Sequence, residues 1–256
     1  MKTLRSIAML LCTIALTACE KNAVQDITGS LPGARVKFFN FGVGAPAVNF
    51  YANDAKITAI LSATGVESTN GVAFGGVGGG GFYSAIEPGQ YTFTGKIAAE
   101  VDKNVPISTS AATLATGKAY SYYISGIYNT AAKTAEAFVL EDAFVDTLDY
   151  TVAYVRFVNA ISNASPMTLY ARNPTTGVEV PVGGAVAYKA GGAFVALPGA
   201  VYDLTTRYDG STTNVITRTG VSFSVGKVYT IGARGDITVV STTLATRPQL
   251  DNTANR

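Results

Sequence analysis

The sequence contains no histidine and no tryptophan, has only two cysteines, and devotes just 14% of its 256 positions to charged residues. Without histidine, the commonest general base and the commonest metal ligand are both missing. Hydrolases built on a Ser-His-Asp or Cys-His arrangement are therefore excluded. Cys12 lies inside an apolar N-terminal stretch and Cys19 closes it, so the chain beyond offers no thiol for a disulfide or a thiolate metal site. Nineteen basic residues face seventeen acidic ones, and they stand singly, with none of the basic stripes that follow a phosphate backbone. This argues against nucleic acid as a partner.

What is present begins with a cationic start, Lys2 and Arg5, and a run from Ile7 to Leu16 that is apolar apart from Thr13. A secretory signal has this shape, and the run is about half the roughly 20 residues that a membrane-spanning helix needs. It ends in Leu16-Thr17-Ala18-Cys19, which resembles the bacterial lipobox. The resemblance implies lipidation of Cys19, cleavage before it, and stable attachment to a membrane through the acyl chains. Residues 1–18 are thus expected to be a lipoprotein signal peptide and residues 19–33, polar from Glu20 onward, a lipidated tether. The expected location is the bacterial cell envelope, at the outer membrane, facing the periplasm or the surface.

The remaining chain is rich in Thr, Tyr and Gly and has no long helical period, a composition that favours strands. An internal repeat organises it. Ala34-Arg35-Val36-Lys37-Phe38-Phe39-Asn40 matches Ala153-Tyr154-Val155-Arg156-Phe157-Val158-Asn159, and Ala45-Pro46 through Tyr51 matches Ser165-Pro166 through Tyr170. Glu87-Pro88-Gly89-Gln90-Tyr91 matches Leu197-Pro198-Gly199-Ala200-Val201-Tyr202, and Gly117-Lys118-Ala119-Tyr120 matches Gly226-Lys227-Val228-Tyr229. Four anchors in the same order indicate one globular unit present twice, at a spacing too long for a solenoid or propeller blade.

Tyr91-Thr92-Phe93-Thr94 and Val221-Ser222-Phe223-Ser224-Val225 alternate as half-buried strands do, whereas the two faces of residues 36–41 differ only weakly. Short strands between Pro-Gly, Asp-Gly and Gly-Lys turns predict sheets packed face to face, with a barrel as the alternative. The first repeat is expected over 34–148, the second over 149–245, and a tail over 246–256 as a disordered end or a last short edge. Tyr91, Tyr120, Tyr202 and Tyr229 recur at strand entries, where a ring packs in the core while its hydroxyl reaches a backbone group.

The motif Val155-Arg156-Phe157-Val158-Asn159-Ala160 with Ser165-Pro166, Leu197-Pro198-Gly199 and Tyr202 resembles the bacterial repeat family catalogued as domain of unknown function 4397. The first copy departs at Phe41, where the second has Ala160, and carries a glycine insert. The resemblance spans most of residues 34–240. It implies an all-β protein of two tandem immunoglobulin-like β-sandwich domains in an extracytoplasmic setting, and it implies no activity and no catalytic residue.

Three features invite sharper readings. The run Gly75 to Gly81 contains G-x-G-x-x-G, but Pro88 follows too soon for the helix that a dinucleotide site requires, so a mobile loop between strands is expected. Glu141, Asp142, Asp146 and Asp149 fall between the copies and read as an acidic, solvated linker, with carboxylate catalysis or calcium as minor alternatives. Tyr122, Tyr123 and Tyr128 form the candidate interaction surface, although alternation must place one face of that strand in the core. The expectation is a non-enzymatic, lipid-anchored structural or protein-interaction module. No catalytic, cofactor or metal residue is assigned, and its partners are a membrane through Cys19 and an envelope protein or glycan. A glycan-binding or adhesion module is the alternative, and an envelope hydrolase the third reading.

Overall fold

The computed structural model describes residues 33–58 and 70–256. The signal peptide, Cys19 and the tether as far as residue 32 lie outside the described residues. The first half of the chain supplies β1 (Ala34–Asn40), β2 (Val48–Ala52), β3 (Ala55–Lys56), β4 (Gly76–Val77), β5 (Ser84–Ile86), β6 (Gly89–Ile97), β7 (Pro106–Leu114), β8 (Ala119–Asn129) and β9 (Thr134–Glu141). The second supplies β10 (Val152–Asn159), β11 (Met167–Arg172), β12 (Glu179–Val186), β13 (Ala190–Gly191), β14 (Val195–Pro198), β15 (Ala200–Tyr208), β16 (Ile216–Phe223), β17 (Val228–Arg234) and β18 (Gln249–Ala254).

Each half is a pair of sheets, so the chain is all-β with two sandwich-like halves. One sheet has the order β4-β1-β8-β9 with β5 also on β1, and its counterpart runs β13-β10-β17-β18 with β14 also on β10. The other sheets run β3-β2-β6-β7 and β12-β11-β15-β16. The duplication extends to register. In the parallel pair β1/β8, Val36 faces Tyr120, and in β10/β17 the equivalent Val155 faces Tyr229. The tail, expected as a disordered end or a last short edge, forms the edge strand β18 on β17, so the second half's sheet runs on past residue 245.

The repeated turns and tyrosines act alike in both halves. Tyr91 Oη donates to the Glu87 carbonyl and Tyr202 Oη to the Pro198 carbonyl, each at 2.9 Å. Tyr120 Oη accepts from the Ala115 amide and Tyr229 Oη from the Ser224 amide, each at 3.1 Å. Each phenol thereby ties a strand to the turn that enters it, while its ring packs against the core of its own half. Those two cores are separate: Val36, Phe38, Phe50, Phe93 and Tyr122 anchor the first, and Val155, Phe157, Leu169, Leu204 and Phe223 the second.

A third apolar cluster explains why residues 36–41 show so little alternation. Val36 and Phe38 face the first core, while Phe39 and Phe41 face the second half. There they join Tyr123 and Phe138 against Val158 and Ala160. The β4-β1-β8-β9 sheet thus packs its outer face on the outer face of β13-β10-β17-β18, and both faces of β1 and β10 are buried. Aromatic residues on one side meet small ones on the other. Tyr123 lies between Phe39 and Phe138, at 4.4 and 4.9 Å between ring centroids. Phe41 fills the space that Gly232 leaves open, for a Cβ on Gly232 would lie 2.8 Å from the Phe41 ring.

Gly232→Val is expected to push the halves apart at this point. Overpacking of this kind costs about 1–3 kcal/mol, and thermal unfolding should show a melting temperature lower by roughly 2–10 °C. An unchanged melting temperature would show that Phe41 has room to move.

Candidate functional site

The centre of the contact between halves carries charge. Lys37 on β1 and Arg156 on β10 occupy equivalent positions of the repeat, and both side chains point away from their own cores into the seam, where they are almost fully buried. Arg156 reaches across to the first half. Its Nη2 pairs with Asp142 Oδ1, its Nη1 donates to the Glu141 carbonyl at 3.2 Å, and its Nε donates to Thr230 Oγ1 at 3.0 Å. Ser121 Oγ and Tyr83 Oη donate to the other carboxylate oxygen of Asp142, at 2.8 and 2.6 Å. Each guanidinium nitrogen and both carboxylate oxygens are thus engaged, which limits the cost of burying the pair.

Lys37 reaches the opposite way with the same geometry. Glu141 and Ala254 are equivalent, since they face Tyr120 and Tyr229 in the two sheets, and Asp142 and Asn255 follow them. Lys37 Nζ donates to the Ala254 carbonyl at 2.8 Å and to Asn255 Oδ1 at 3.2 Å. The Asp142 and Asn255 amides both donate at 2.7 Å to equivalent carbonyls, those of Ala119 and Val228. Aromatic rings repeat the pattern: Lys37 Nζ lies 4.4 Å from the Tyr83 centroid, and the Arg156 guanidinium 4.9 Å from that of the equivalent Phe194. The halves are therefore related by a pseudo-twofold axis, and their contact is isologous, as in a symmetric dimer. The symmetry fails in charge, because Arg156 meets a carboxylate while Lys37 meets a neutral amide.

A cavity opens beside each cation. One of about 250 Å3 is lined by Arg156, Glu141, Gly191 to Phe194 and the adjoining end of β9. Its counterpart, about 520 Å3, is lined by Lys37, Val77, Gly80 to Tyr83 and residues 252–256. The glycine run accounts for the difference. Residues 78–82 connect Val77 to Tyr83, whereas only residues 192–193 connect the equivalent Gly191 to Phe194. Gly79, Gly80 and Gly81 all have positive φ, of 60°, 66° and 86°, a conformation that side chains beyond glycine rarely tolerate. The run is therefore a short strand on β1 followed by a tight turn, and it forms one wall of the larger cavity.

The residues singled out in the sequence fare differently. Tyr122 and Tyr123 are fully buried, so they do not form the interaction surface expected of them: the first fills the core of its half and the second the seam. Tyr128 is half-buried against the first core. Asp142 is not part of a solvated linker, being 2% exposed and engaged by Arg156, whereas Glu141, Asp146 and Asp149 are exposed. Cys19, the expected lipidation site, lies outside the described residues. Lys37, Tyr83 and Asn255 were not singled out. The available signal was a cation at the same position of both copies, flanked on each side by apolar residues.

Burial lowers the Lys37 ammonium to about 8, with the Asp142 carboxylate opposing the shift and Arg156 adding to it. Below pH 8 the folded and unfolded chains both hold this proton. Between about 8 and 10.5 the unfolded chain holds a proton that the folded protein has released, so this group makes stability rise with pH, by up to roughly 3 kcal/mol. Burial raises the phenols of Tyr83, Tyr122 and Tyr123, which reverses the trend above about pH 10. The stability of the wild type relative to Lys37→Met should therefore increase from pH 7.5 to 9.5 in denaturant titrations. A difference that does not vary with pH would contradict the burial of a charged Lys37.

Comparison with known proteins places this geometry in context. A "Bacillus anthracis TIE protein" structure is similar over 78% of this chain, with 15% identity and a TM-score of 0.23, and the chain spans 32% of that protein's length. A crystal structure described as a "putative cell adhesion protein" from Bacteroides ovatus is similar over 89% of this chain and 97% of its own, with 10% identity and a TM-score of 0.21. No curated protein matches. Residues 34–170 match the domain of unknown function DUF4397, a span that takes in the whole first half and the opening strands of the second. With more than half of its length matched, the chain belongs to the DUF4397 family.

Proposed function

We propose that this is a non-enzymatic protein of the bacterial cell envelope, anchored by lipid on Cys19 at the outer membrane, whose paired sandwiches serve as a rigid structural or protein-interaction module. The observation that carries this reading is the isologous seam. It joins the halves through a buried ion pair and an apolar cluster and leaves the sheets β3-β2-β6-β7 and β12-β11-β15-β16 on the outside for contact with a partner. The division at residues 148 and 149 follows the repeat, with Val152 opening the second set of strands. The immunoglobulin-like character assigned to each half rests on two facing sheets whose tyrosine hydroxyls bond back to the preceding turn. The runner-up, a glycan-binding or adhesion module, loses the support of Tyr122 and Tyr123, which are buried.

The anchor is tested in cells with a clickable fatty-acid analogue. The wild-type chain should take up the label and fractionate with the outer membrane, and Cys19→Ser should lose both. Continued labelling of Cys19→Ser would overturn the anchoring.

A further inference from the structure

The broken charge symmetry of the seam leaves Lys37 in a setting that its counterpart lacks. Arg156 faces a carboxylate, whereas Lys37, 1% exposed, faces the carboxamide of Asn255. A guanidinium and a carboxylate form an ion pair and nothing more. An amine and a carboxamide are the two reactants of an amide exchange, and the seam holds them side by side.

Two arms from Asp142 fix the carboxamide at both ends. Along one, Asp142 Oδ2 accepts from Tyr83 Oη at 2.6 Å, and that hydroxyl lies 3.4 Å from Asn255 Oδ1. Along the other, Asp142 pairs with Arg156, whose Nε donates to Thr230 Oγ1 at 3.0 Å, and the same oxygen accepts from Asn255 Nδ2 at 2.7 Å. The carboxamide oxygen is thereby turned to Lys37 and Tyr83, and its nitrogen to Thr230. Lys37 Nζ, held at 2.8 Å by the Ala254 carbonyl, is 3.2 Å from Oδ1, which puts Cγ within about 4.4 Å of it. Burial lowers the ammonium to about 8 although Asp142 opposes the shift, so near that pH about half of the amines carry a free lone pair.

We propose that Lys37 and Asn255 join in an intramolecular isopeptide bond. The Lys37 lone pair adds to Cγ, and the new C–N bond forms as the carbonyl electron pair moves onto Oδ1. The Tyr83 hydroxyl, bonded to Asp142 beforehand, turns to this oxyanion and stabilises it. When the carbonyl re-forms, Nδ2 leaves with a proton from the Lys37 nitrogen. One amide and one ammonia thus replace one amine and one carboxamide, and no co-reactant is needed. Ammonia leaves through the larger cavity, which Lys37, Tyr83 and Asn255 all line. Fixing the two groups side by side supplies the rate that free amines and amides lack. The bond ties β1 to the residue after β18, so it closes a loop around nearly the whole of both halves. It does not depend on the lipid anchor. The pH dependence described above is that of the free amine; it ends once Lys37 is an amide, and Asn255→Ala, which keeps the lysine free, retains it.

The test is tandem mass spectrometry of a tryptic digest of the full chain. Trypsin should fail to cut after Lys37, and residues 36–56 should appear joined to residues 235–256 as one species, lighter than their sum by one ammonia, about 17 Da. Fragmentation should place the link between Lys37 and Asn255. Asn255→Ala should release residues 38–56 as a free peptide and melt roughly 10–20 °C lower. Sampled over the hours after synthesis, Tyr83→Phe should accumulate the joined species roughly 100-fold more slowly, and an equal rate would overturn the part given to Tyr83. Recovery of the two peptides apart from the folded wild type, or a joined species in Asn255→Ala, would overturn the bond itself.

Discussion

A guanidinium and a carboxylate withdrawn from water constrain everything packed around them. Arg156 sits in the middle of β10 with its side chain on the face opposite to its own core, and its carboxylate partner among the described residues is Asp142, just past the end of β9 in the other half. Neither group could be buried there alone, because an unpaired charge in such a place costs several kcal/mol. The pair therefore exists only if the two halves lie back to back in this register, and Ser121, Tyr83 and Thr230 complete its hydrogen bonds. The ion pair specifies the orientation of the halves, and the apolar cluster around Tyr123 supplies the buried area that holds them together.

The same seam shows how two copies of one unit have diverged to prefer each other. Position by position, Phe39, Phe41 and Tyr123 of the first half correspond to Val158, Ala160 and Gly232 of the second. Two first halves would bring bulky rings against bulky rings, and two second halves would leave the contact hollow. Only the pairing within one chain fills the space, so steric mismatch discriminates against the like-with-like alternatives. Charge is divided unevenly across the seam, with Asp142 placed opposite Arg156 and the neutral Asn255 opposite Lys37.

Much of each half was legible in the sequence. The four anchors, the turn prolines and the tyrosines at strand entries all find equivalent places, and all four tyrosine hydroxyls bond to backbone as their positions implied. The seam was not legible, because strand periodicity reports which residues leave water and not what covers them. Residues 36–41 gave weak alternation, and the reason is that both faces of β1 are covered, one by the core and one by the other half. One of Tyr122 and Tyr123 was expected at the surface, because alternation leaves a strand with one covered face, and here both faces are covered. Asp142 looked like linker because its partner is contributed by another strand of the second half, a pairing that composition cannot show. The departure at Phe41 was visible, and its meaning required Gly232 opposite it.

If the ion pair and the cluster weld the halves into one body, the inner sheets should unfold together. Native-state hydrogen exchange on the full chain measures this directly, since amides that open only with the whole body share one free energy. The account predicts that the amides of β1 and β8 and those of β10 and β17 exchange at the same, highest free energy of opening. A lower, separate free energy for either pair would show that one half opens while the other stays folded, and would contradict the seam as the interaction on which the structure depends.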